Sequence, residues 1–553
     1  MVRSSLLALQ SLFAVLLLLS KGAALAQTPS VEEAIRNRVE SVRRGEPLRI
    51  ANVEAAALDV LAEMYERRGF RPAWTAPAAI DDLFTSVREI GQDGLDPADY
   101  HVGALEQLRA EADQDPGDAR VRADLDVLLT DSLTRLAYHL FFGKVDAQSL
   151  DANWNFTRKI RSTDPAQAIQ DAIDSGSLAE RIDGLRPESS IYARLRKALA
   201  RYRKIAEQGG WQAITDGPTL KPQMRDERIA LLRRRLQATG EIQAGSGDPT
   251  LYDEGLVEAV KHFQSRHLLD ADGSIGKKTL VELNRSVKDR IDQIRVNLER
   301  ARWVLHDLPG DFVITDIAGF EVGLFRNKEL VWRSRVQVGK PYRKTPVFRS
   351  EIRYLVLNPT WTVPPGILAK DILPKVQKNP AYLATKNLKV IDQQGRVMPP
   401  NQVDWGRYTG RNFPYELRQD PGPNNALGRV KFMFPNQHAV YLHDTPSKEL
   451  FEPSERAFSS GCIRVQNPLD LAALLLEGTE WDRAAIDAVL ESGELKNINL
   501  PRPLPVLLLY WTVRANDDGS AVFKPDIYDR DAAVLRKLDS KFVFQRKTLP
   551  GER

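Results

Sequence analysis

Apolar residues recur three and four positions apart through the first two hundred residues, as at Leu125, Leu128, Leu129, Leu133 and Leu136. That spacing turns one face of a helix towards a core and predicts an all-helical block over 30–215. Turn signals such as Gly94-Leu95-Asp96-Pro97 and Gly209-Gly210 divide it. A shorter helical pattern covers 226–285. It runs through Ile229, Leu232 and Leu236, a polar loop at Gly245–Asp248, then Val257, Val260 and Phe263. The turn Asp272-Gly273-Ser274-Ile275-Gly276 follows, with Thr279 near the start of a last helix. A charged helix then runs from Ser286 to Trp303 and reads as a linker over 286–310.

Beyond the linker the hydrophobic period changes to two. Strands are expected at 312–314, 321–325, 331–338, 354–357, 430–434 and 440–442, and strands so closely spaced predict a sandwich or barrel. Between the fourth and fifth lies a polar and aromatic insertion, 370–427, holding Tyr382, Trp405, Tyr408 and Tyr415. A connection of that length is expected to cap a site. The fold class is therefore multidomain α+β. It comprises a helical scaffold, a three-helix unit, a mostly-β domain over 311–515 with its inserted cap, and a C-terminal extension over 516–553. A chain of 553 residues has room for all of them.

Composition and local sequence change this picture in four places. Hydrophobic residues at 42% and charged residues at 27% describe a soluble, folded chain. A net charge of +4 is a small difference between 78 basic and 74 acidic residues and calls for no nucleic acid partner. The basic stretches Arg233-Arg234-Arg235 and Arg194–Lys204 lie in helical patterns and are expected on solvated faces. At the N-terminus, Arg3, the apolar run Leu6–Leu19 and the small residues Ala24-Leu25-Ala26 read as a secretory signal over 1–26. A mature start near Gln27 and a place in the periplasm or cell envelope follow, with an uncleaved anchor as the alternative.

The fourth is cysteine, of which there is one, Cys462, so no intrachain disulfide can form. A lone thiol in an oxidising compartment is either buried filler or does chemistry. Its setting, YLHDTPSKELFEPSERAFSSGCIRV from Tyr441 to Val465, brings a histidine, a Ser-Ser-Gly-Cys turn and an arginine together. Cys462 reads as a nucleophile and His443, nineteen residues earlier, as its general acid/base. Gly461 lets a substrate carbonyl approach, so the amides of Cys462 and Gly461 are candidates for an oxyanion hole.

Asp444 follows His443 directly and would point to the opposite face of a strand, so a backbone carbonyl is the expected partner of the imidazole. Asn467-Pro468 reads as the start of a helix whose N-terminus would favour a thiolate at Cys462. Arg464 is placed either to hold a substrate carboxylate or to form a structural ion pair. His101 and His139 stand isolated in the helical block and read as structural. No His-Glu-x-x-His motif is present, so neither metal nor cofactor is expected. A lone Ser-x-x-Lys at Ser274–Lys277 lacks the companion motifs of a penicillin-binding serine enzyme.

Several segments resemble known families. LLRRRLQATG, AVKHFQSRHLL and DGSIGKKTLVELN are similar to the three-helix peptidoglycan-binding domain. The stretch around Cys462, with VQVGKPYRKTPVF, LNPTWTVPPGI and PGPNNALGRVKFMFPN, closely resembles the YkuD-type L,D-transpeptidase domain. Its signature is a histidine followed by Ser-x-Gly-Cys-x-Arg. With the scaffold, binding unit and cap, the whole chain is similar to the large multidomain, YcbB-like branch. Many smaller relatives have histidine where this chain has Ser460.

The resemblance implies acyl transfer through a cysteine thioester: a terminal D-alanine leaves a tetrapeptide stem, and an amine of a neighbouring stem forms a 3→3 peptidoglycan cross-link. Ser459, Ser460, Arg464, Trp361 and Tyr354 are then expected to line the substrate pocket. Peptidoglycan stems and glycan are the expected partners, other cell-wall synthesis enzymes are candidates, and a monomer is expected. The alternatives are an L,D-carboxypeptidase using the same pair with water as acceptor, and a non-catalytic protein tethered to the wall.

Overall fold

The computed structural model describes residues 29–156, 164–243 and 248–542. The expected signal, most of the loop at Gly245–Asp248 and the end of the C-terminal extension lie outside those residues. Three parts make up the described chain: a helical N-terminal region, a three-helix unit and a mostly-β domain.

The helical region is built on α1 (Ala119–Phe142) and α2 (Ser190–Glu207). Asp118 caps α1 by accepting from the N–H groups of Arg120 and Val121. The two isolated histidines are buried here: His101 Nε2 lies 2.9 Å from Asp131 Oδ2, and His139 Nδ1 lies 2.8 Å from the Tyr100 hydroxyl.

The charged helix α3 (Val287–Val304) opens on a capping box between Ser286 and Asp289. It is no exposed linker. Arg290, Glu299 and Arg302 are at most 1% exposed, and Ile294 and Leu298 join one hydrophobic core with Leu128, Leu133, Leu195 and Leu199 of the helical region. The Glu299 carboxylate accepts from Arg302 at 2.6 Å, from Trp303 Nε1 at 3.2 Å and from the Val145 N–H at 2.6 Å. Arg302 also donates to the Asp93 carbonyl and the Tyr192 hydroxyl. Replacing Glu299 by alanine would leave that guanidinium buried without its nearest carboxylate. A loss of about 3–5 kcal/mol is expected, read as a lowered urea midpoint.

The solvated-face reading of the basic stretches needs correcting for the same reason. Arg235 is 1% exposed, donates to the Leu283 carbonyl at 2.9 Å and lies over the Trp211 ring at 3.7 Å. Burial pushes its pKa down to about 10. On α2, Arg194 pairs with Asp517 at 2.7 Å and Arg201 donates to the Thr239 carbonyl at 3.0 Å. These charges join parts of the molecule. A residue run sampled one position per hundred degrees of helix cannot be solvated throughout.

The β domain starts with β1 (Phe312–Asp316), β2 (Glu321–Arg326), β3 (Glu329–Gly339) and β4 (Phe348–Leu357). The inserted cap carries β5 (Trp361–Thr362), β6 (Lys389–Ile391), β7 (Val397–Met398) and β8 (Glu416–Gln419). The chain returns with β9 (Val430–Met433), β10 (Leu442–His443), β11 (Ala457–Ser459) and β12 (Ile463–Val465). After α4 (Pro468–Leu475) comes β13 (Lys496–Leu509).

The main sheet has nine strands in the order β11-β3-β12-β10-β9-β4-β13-β1-β2, and β2 also pairs with β3, so the sheet closes on itself. Val313, Val506 and Leu508 point inside, where they meet Leu355 and Ile463. Phe312, Ile314, Leu507 and Leu509 point out, into the core shared with α3. Strand β13 is not among the expected strands, and three prolines, Pro501, Pro503 and Pro505, fall within it. A register irregularity between Asn499 and Leu504 accommodates Pro501 and Pro503, and Pro505 stands opposite Glu351 where β13 is again paired with β4.

The cap is a small folded unit with a sheet of its own, β5-β8-β6-β7, and a core of Val363, Leu373, Val376, Leu383, Trp405 and Leu417. It begins at Trp361, ahead of residue 370, because β5 pairs with β8 across the whole insertion. The three-helix unit packs around Ile229, Leu232, Tyr252, Val260, Phe263 and Leu283.

Candidate active site

Strands β10 and β12 run parallel, with Leu442 beside Ile463 and His443 beside Arg464. Leu442 and Ile463 are fully buried in the barrel core. Alternation therefore sends Tyr441, His443, Cys462 and Arg464 to the other face. There they line one cavity of about 390 Å³. Trp361, Pro364 and Ile367 of the cap enclose it from one side, and Arg343 and Lys344 of the loop after β3 from another.

The register sets Cys462 beside Tyr441 and one step diagonally from His443. The half-buried sulfur lies 3.7 Å from the Ala439 carbonyl. Burial pushes the thiol pKa up. The Tyr441 N–H, Arg464, the Tyr441 hydroxyl and Lys431 pull the other way. No hydrogen bond joins the sulfur to the imidazole among the described residues.

His443 is 3% exposed, and its Nδ1 donates to the Asp444 carbonyl at 2.5 Å. A carbonyl can only accept, so Nδ1 carries the hydrogen and Nε2 of the neutral ring is the basic atom. Burial, then the charge of Arg464, lowers the imidazole pKa to about 3 against the pull of the Asp444 and Leu427 carbonyls. The Asp444 carboxylate is turned away: it accepts from the Arg429 N–H at 2.9 Å and from the Lys448 ammonium. Gly428, at φ +61°, makes room for it, since a Cβ there would sit 2.3 Å from Asp444 Oδ2.

The nucleophile turn departs from expectation at Gly461 and Ser459. Gly461 has φ +123°, a conformation L side chains rarely adopt, but its N–H donates to the Ser459 hydroxyl at 3.1 Å. That hydroxyl donates in turn to the Cys462 carbonyl at 2.6 Å. The Gly461 amide is thus spent inside the turn, and Ser459, 2% exposed, shapes the turn and has no hydrogen left for a substrate. The Cys462 N–H has no partner among the described residues and is the donor left for an oxyanion.

Ser460 accepts from Arg343 Nη1 at 2.8 Å, and Arg343 also pairs with Asp371, carried on the π-helical turn Leu368–Ile372 of the cap. One guanidinium thus ties the cap to the nucleophile turn. Replacing Asp371 by alanine should loosen the cap and cut the second-order rate of Cys462 acylation about five-fold, the equivalent of ~1 kcal/mol for a part-exposed pair.

Arg464 donates to Gln337 Oε1 at 3.2 Å, and no carboxylate pairs with it among the described residues, so the structural ion pair is absent. Burial lowers its pKa and the neighbouring Cys462 raises it.

Trp361 lines the cavity from β5. Tyr354 does not: it lies opposite Met433 and Asn499, two residues along β4 from Val356, which stands level with Lys431. The helix expected to favour the thiolate is α4, and three strand residues at roughly 3.3 Å each carry the chain away before it starts. Positive charge at the sulfur comes from Arg464 and Lys431 instead. Asn467 precedes α4 without a side-chain cap bond.

Tyr441 escaped the sequence reading. Its ring meets that of His443 edge-on at 5.6 Å, and the Lys431 ammonium lies 5.0 Å from its centroid. Its position two residues before His443, hence on the same strand face, was the available signal.

Residues 310–486 match the family model described as the L,D-transpeptidase catalytic domain, YkuD. The chain carries a YkuD-type L,D-transpeptidase catalytic domain. Residues 59–199 match a "Scaffold domain" and residues 225–283 a "Putative peptidoglycan binding domain". A "Putative L,D-transpeptidase" of Haemophilus influenzae is 36% identical over 242 residues, 44% of this chain and 48% of that protein. The chain thus spans about half the length of this curated relative.

Among solved structures, an L,D-transpeptidase from Stackebrandtia nassauensis is 14% identical with a TM-score of 0.20, covering 54% of this chain and 97% of that one. One from Mycobacterium smegmatis is 11% identical with a TM-score of 0.18, covering 36% and 58%. The assignment rests on the matched family models and the curated relative. Both Cys462 and His443 fall inside the matched L,D-transpeptidase domain.

Proposed function

We propose that this chain is a cysteine acyltransferase that forms 3→3 cross-links between peptidoglycan stems. One observation carries the reading: Cys462, with its half-buried sulfur, lines a capped cavity together with His443, whose Nε2 is the basic atom, and the Cys462 N–H has no partner among the described residues.

In the first step the Cys462 sulfur bonds to the carbonyl carbon of the terminal peptide bond of a tetrapeptide stem. The thiol proton passes to His443 Nε2, an approach that tightens when substrate fills the cavity. The Cys462 N–H receives the oxyanion. The C–N bond breaks, the proton goes to the leaving amine, and D-alanine departs. Arg464, which has no carboxylate partner among the described residues, suits the terminal carboxylate of the donor. In the second step an amine of a neighbouring stem attacks the thioester, gives its proton to His443, and the C–S bond breaks to return the thiol.

The peptidoglycan-binding match supports peptidoglycan as substrate and a cell-envelope location. Among the described residues no helix is long and apolar enough to cross a membrane.

The test is mass spectrometry of the protein incubated with disaccharide-tetrapeptide. A tripeptidyl adduct on the Cys462 peptide, with free D-alanine and cross-linked dimers, is the expected result. Tripeptides without dimers would make the chain an L,D-carboxypeptidase. No adduct and no product would leave only a wall-tethering role.

A further inference from the structure

Past the matched catalytic domain the chain comes back to the active site through one tyrosine. Tyr528 is 1% exposed, and its ring stacks on Tyr510 with centroids 5.5 Å apart. Its hydroxyl donates to the Gly339 carbonyl at 2.6 Å and accepts the Thr345 N–H at 3.1 Å. The Thr345 hydroxyl, fully buried, accepts the Gly339 N–H at 2.9 Å and donates to the Gly461 carbonyl at 2.9 Å. Gly339 permits this approach, because a Cβ there would sit 2.1 Å from the Arg343 carbonyl. Two hydroxyls thus connect the C-terminal segment, the end of β3 and the nucleophile turn, and each donates once and accepts once.

The end of that chain matters for the chemistry. The Gly461 C=O and the Cys462 N–H belong to one trans peptide unit and point in opposite directions. Holding the carbonyl on Thr345 therefore aims the N–H the other way. At Gly461, with φ +123° and no side chain to limit rotation, the peptide needs such a hold.

We propose that Tyr528 is a positioning residue for acyl transfer, which acts through Thr345 to keep the Cys462 N–H aimed at the oxyanion. The inference rests on the acyl-transfer reading above. It assigns Tyr528 to the transition state of acylation, with no effect on the reactivity of the thiol itself.

The full chain carrying Tyr528→Phe, which retains the stacked ring, tests this. Two rates are read: turnover with a tetrapeptide donor, and alkylation of Cys462 by iodoacetamide, a displacement of iodide that forms no oxyanion. Losing an oxyanion donor outright costs about a hundred- to a thousand-fold. A misaimed one should lower kcat by about ten- to a hundred-fold, with KM and the alkylation rate within about two-fold of the parent. Thr345→Val should behave alike, and Thr345→Ser, which keeps the hydroxyl, should retain most of the activity.

Unchanged turnover in Tyr528→Phe beside a normally active parent would overturn this proposal alone. Parallel losses in turnover and alkylation would also overturn it, since they would report a generally loosened turn. A parent that is alkylated but never acylated would remove the acyl-transfer reading, and this inference with it.

Discussion

Replacing Cys462 by alanine is expected to lower donor turnover to background, a loss of at least about ten-thousand-fold. It is the chain's single thiol, and the second step needs the thioester that it alone can form. Folding should be spared, because the half-buried sulfur fills little of the core: its Cβ faces the cavity between Tyr441 and the cap. The measurement pairs turnover with the urea midpoint. An alanine variant that folds normally and still releases D-alanine at the parental rate would put the nucleophile elsewhere.

Replacing His443 by glutamine should cost about a hundred- to ten-thousand-fold in acylation, the usual share of a general base. The pH profile of the parent separates two forms of the pair. With the imidazole pKa lowered to about 3 and the thiol pKa raised, the resting pair is neutral imidazole and thiol. Acylation should therefore persist below pH 6, with no acid limb near the ordinary histidine value of about 6.5. Alkylation by iodoacetamide, which consumes thiolate, should climb steadily with pH towards and beyond the ordinary thiol range. A plateau in alkylation near pH 6 would instead reveal an imidazolium–thiolate pair.

The same shift enters stability. The unfolded chain takes up the His443 proton near pH 6.5 and the folded chain only near 3, so stability is lost as pH falls between those values. The loss is up to about 1.4 kcal/mol per pH unit for this group.

The energetic weight of the charged residues depends on packing that no local pattern reveals. Arg235, Arg290 and Arg302 sit in helices whose sequence looks solvated, yet each is at most 1% exposed. The reason is that the helical region and the β domain share one core through α3, while the three-helix unit closes around a core of its own, so the faces that a lone helix would give to water are covered by neighbours. Buried guanidinium groups of this kind help specify how the parts meet, as Arg302 of α3 does by donating to the Asp93 carbonyl of the helical region.

Local periodicity and residue chemistry were legible in the sequence alone. The helical and alternating stretches announced an α+β chain, because three-to-four and two-residue spacings are properties of consecutive residues. The candidate nucleophile stood out as a single cysteine after glycine, and the base as a histidine in the same short stretch.

Tertiary structure alone decided how those groups are used. A parallel register brings Tyr441 to the sulfur, and a proline-rich strand, β13, joins the barrel to α3's core. Ser459 takes the Gly461 amide out of reach of a substrate, and Tyr528 reaches Thr345 from 183 residues away. Register, hydrogen-bond partner and distant contact depend on which surfaces meet when the chain closes, and no window of neighbouring residues contains that information.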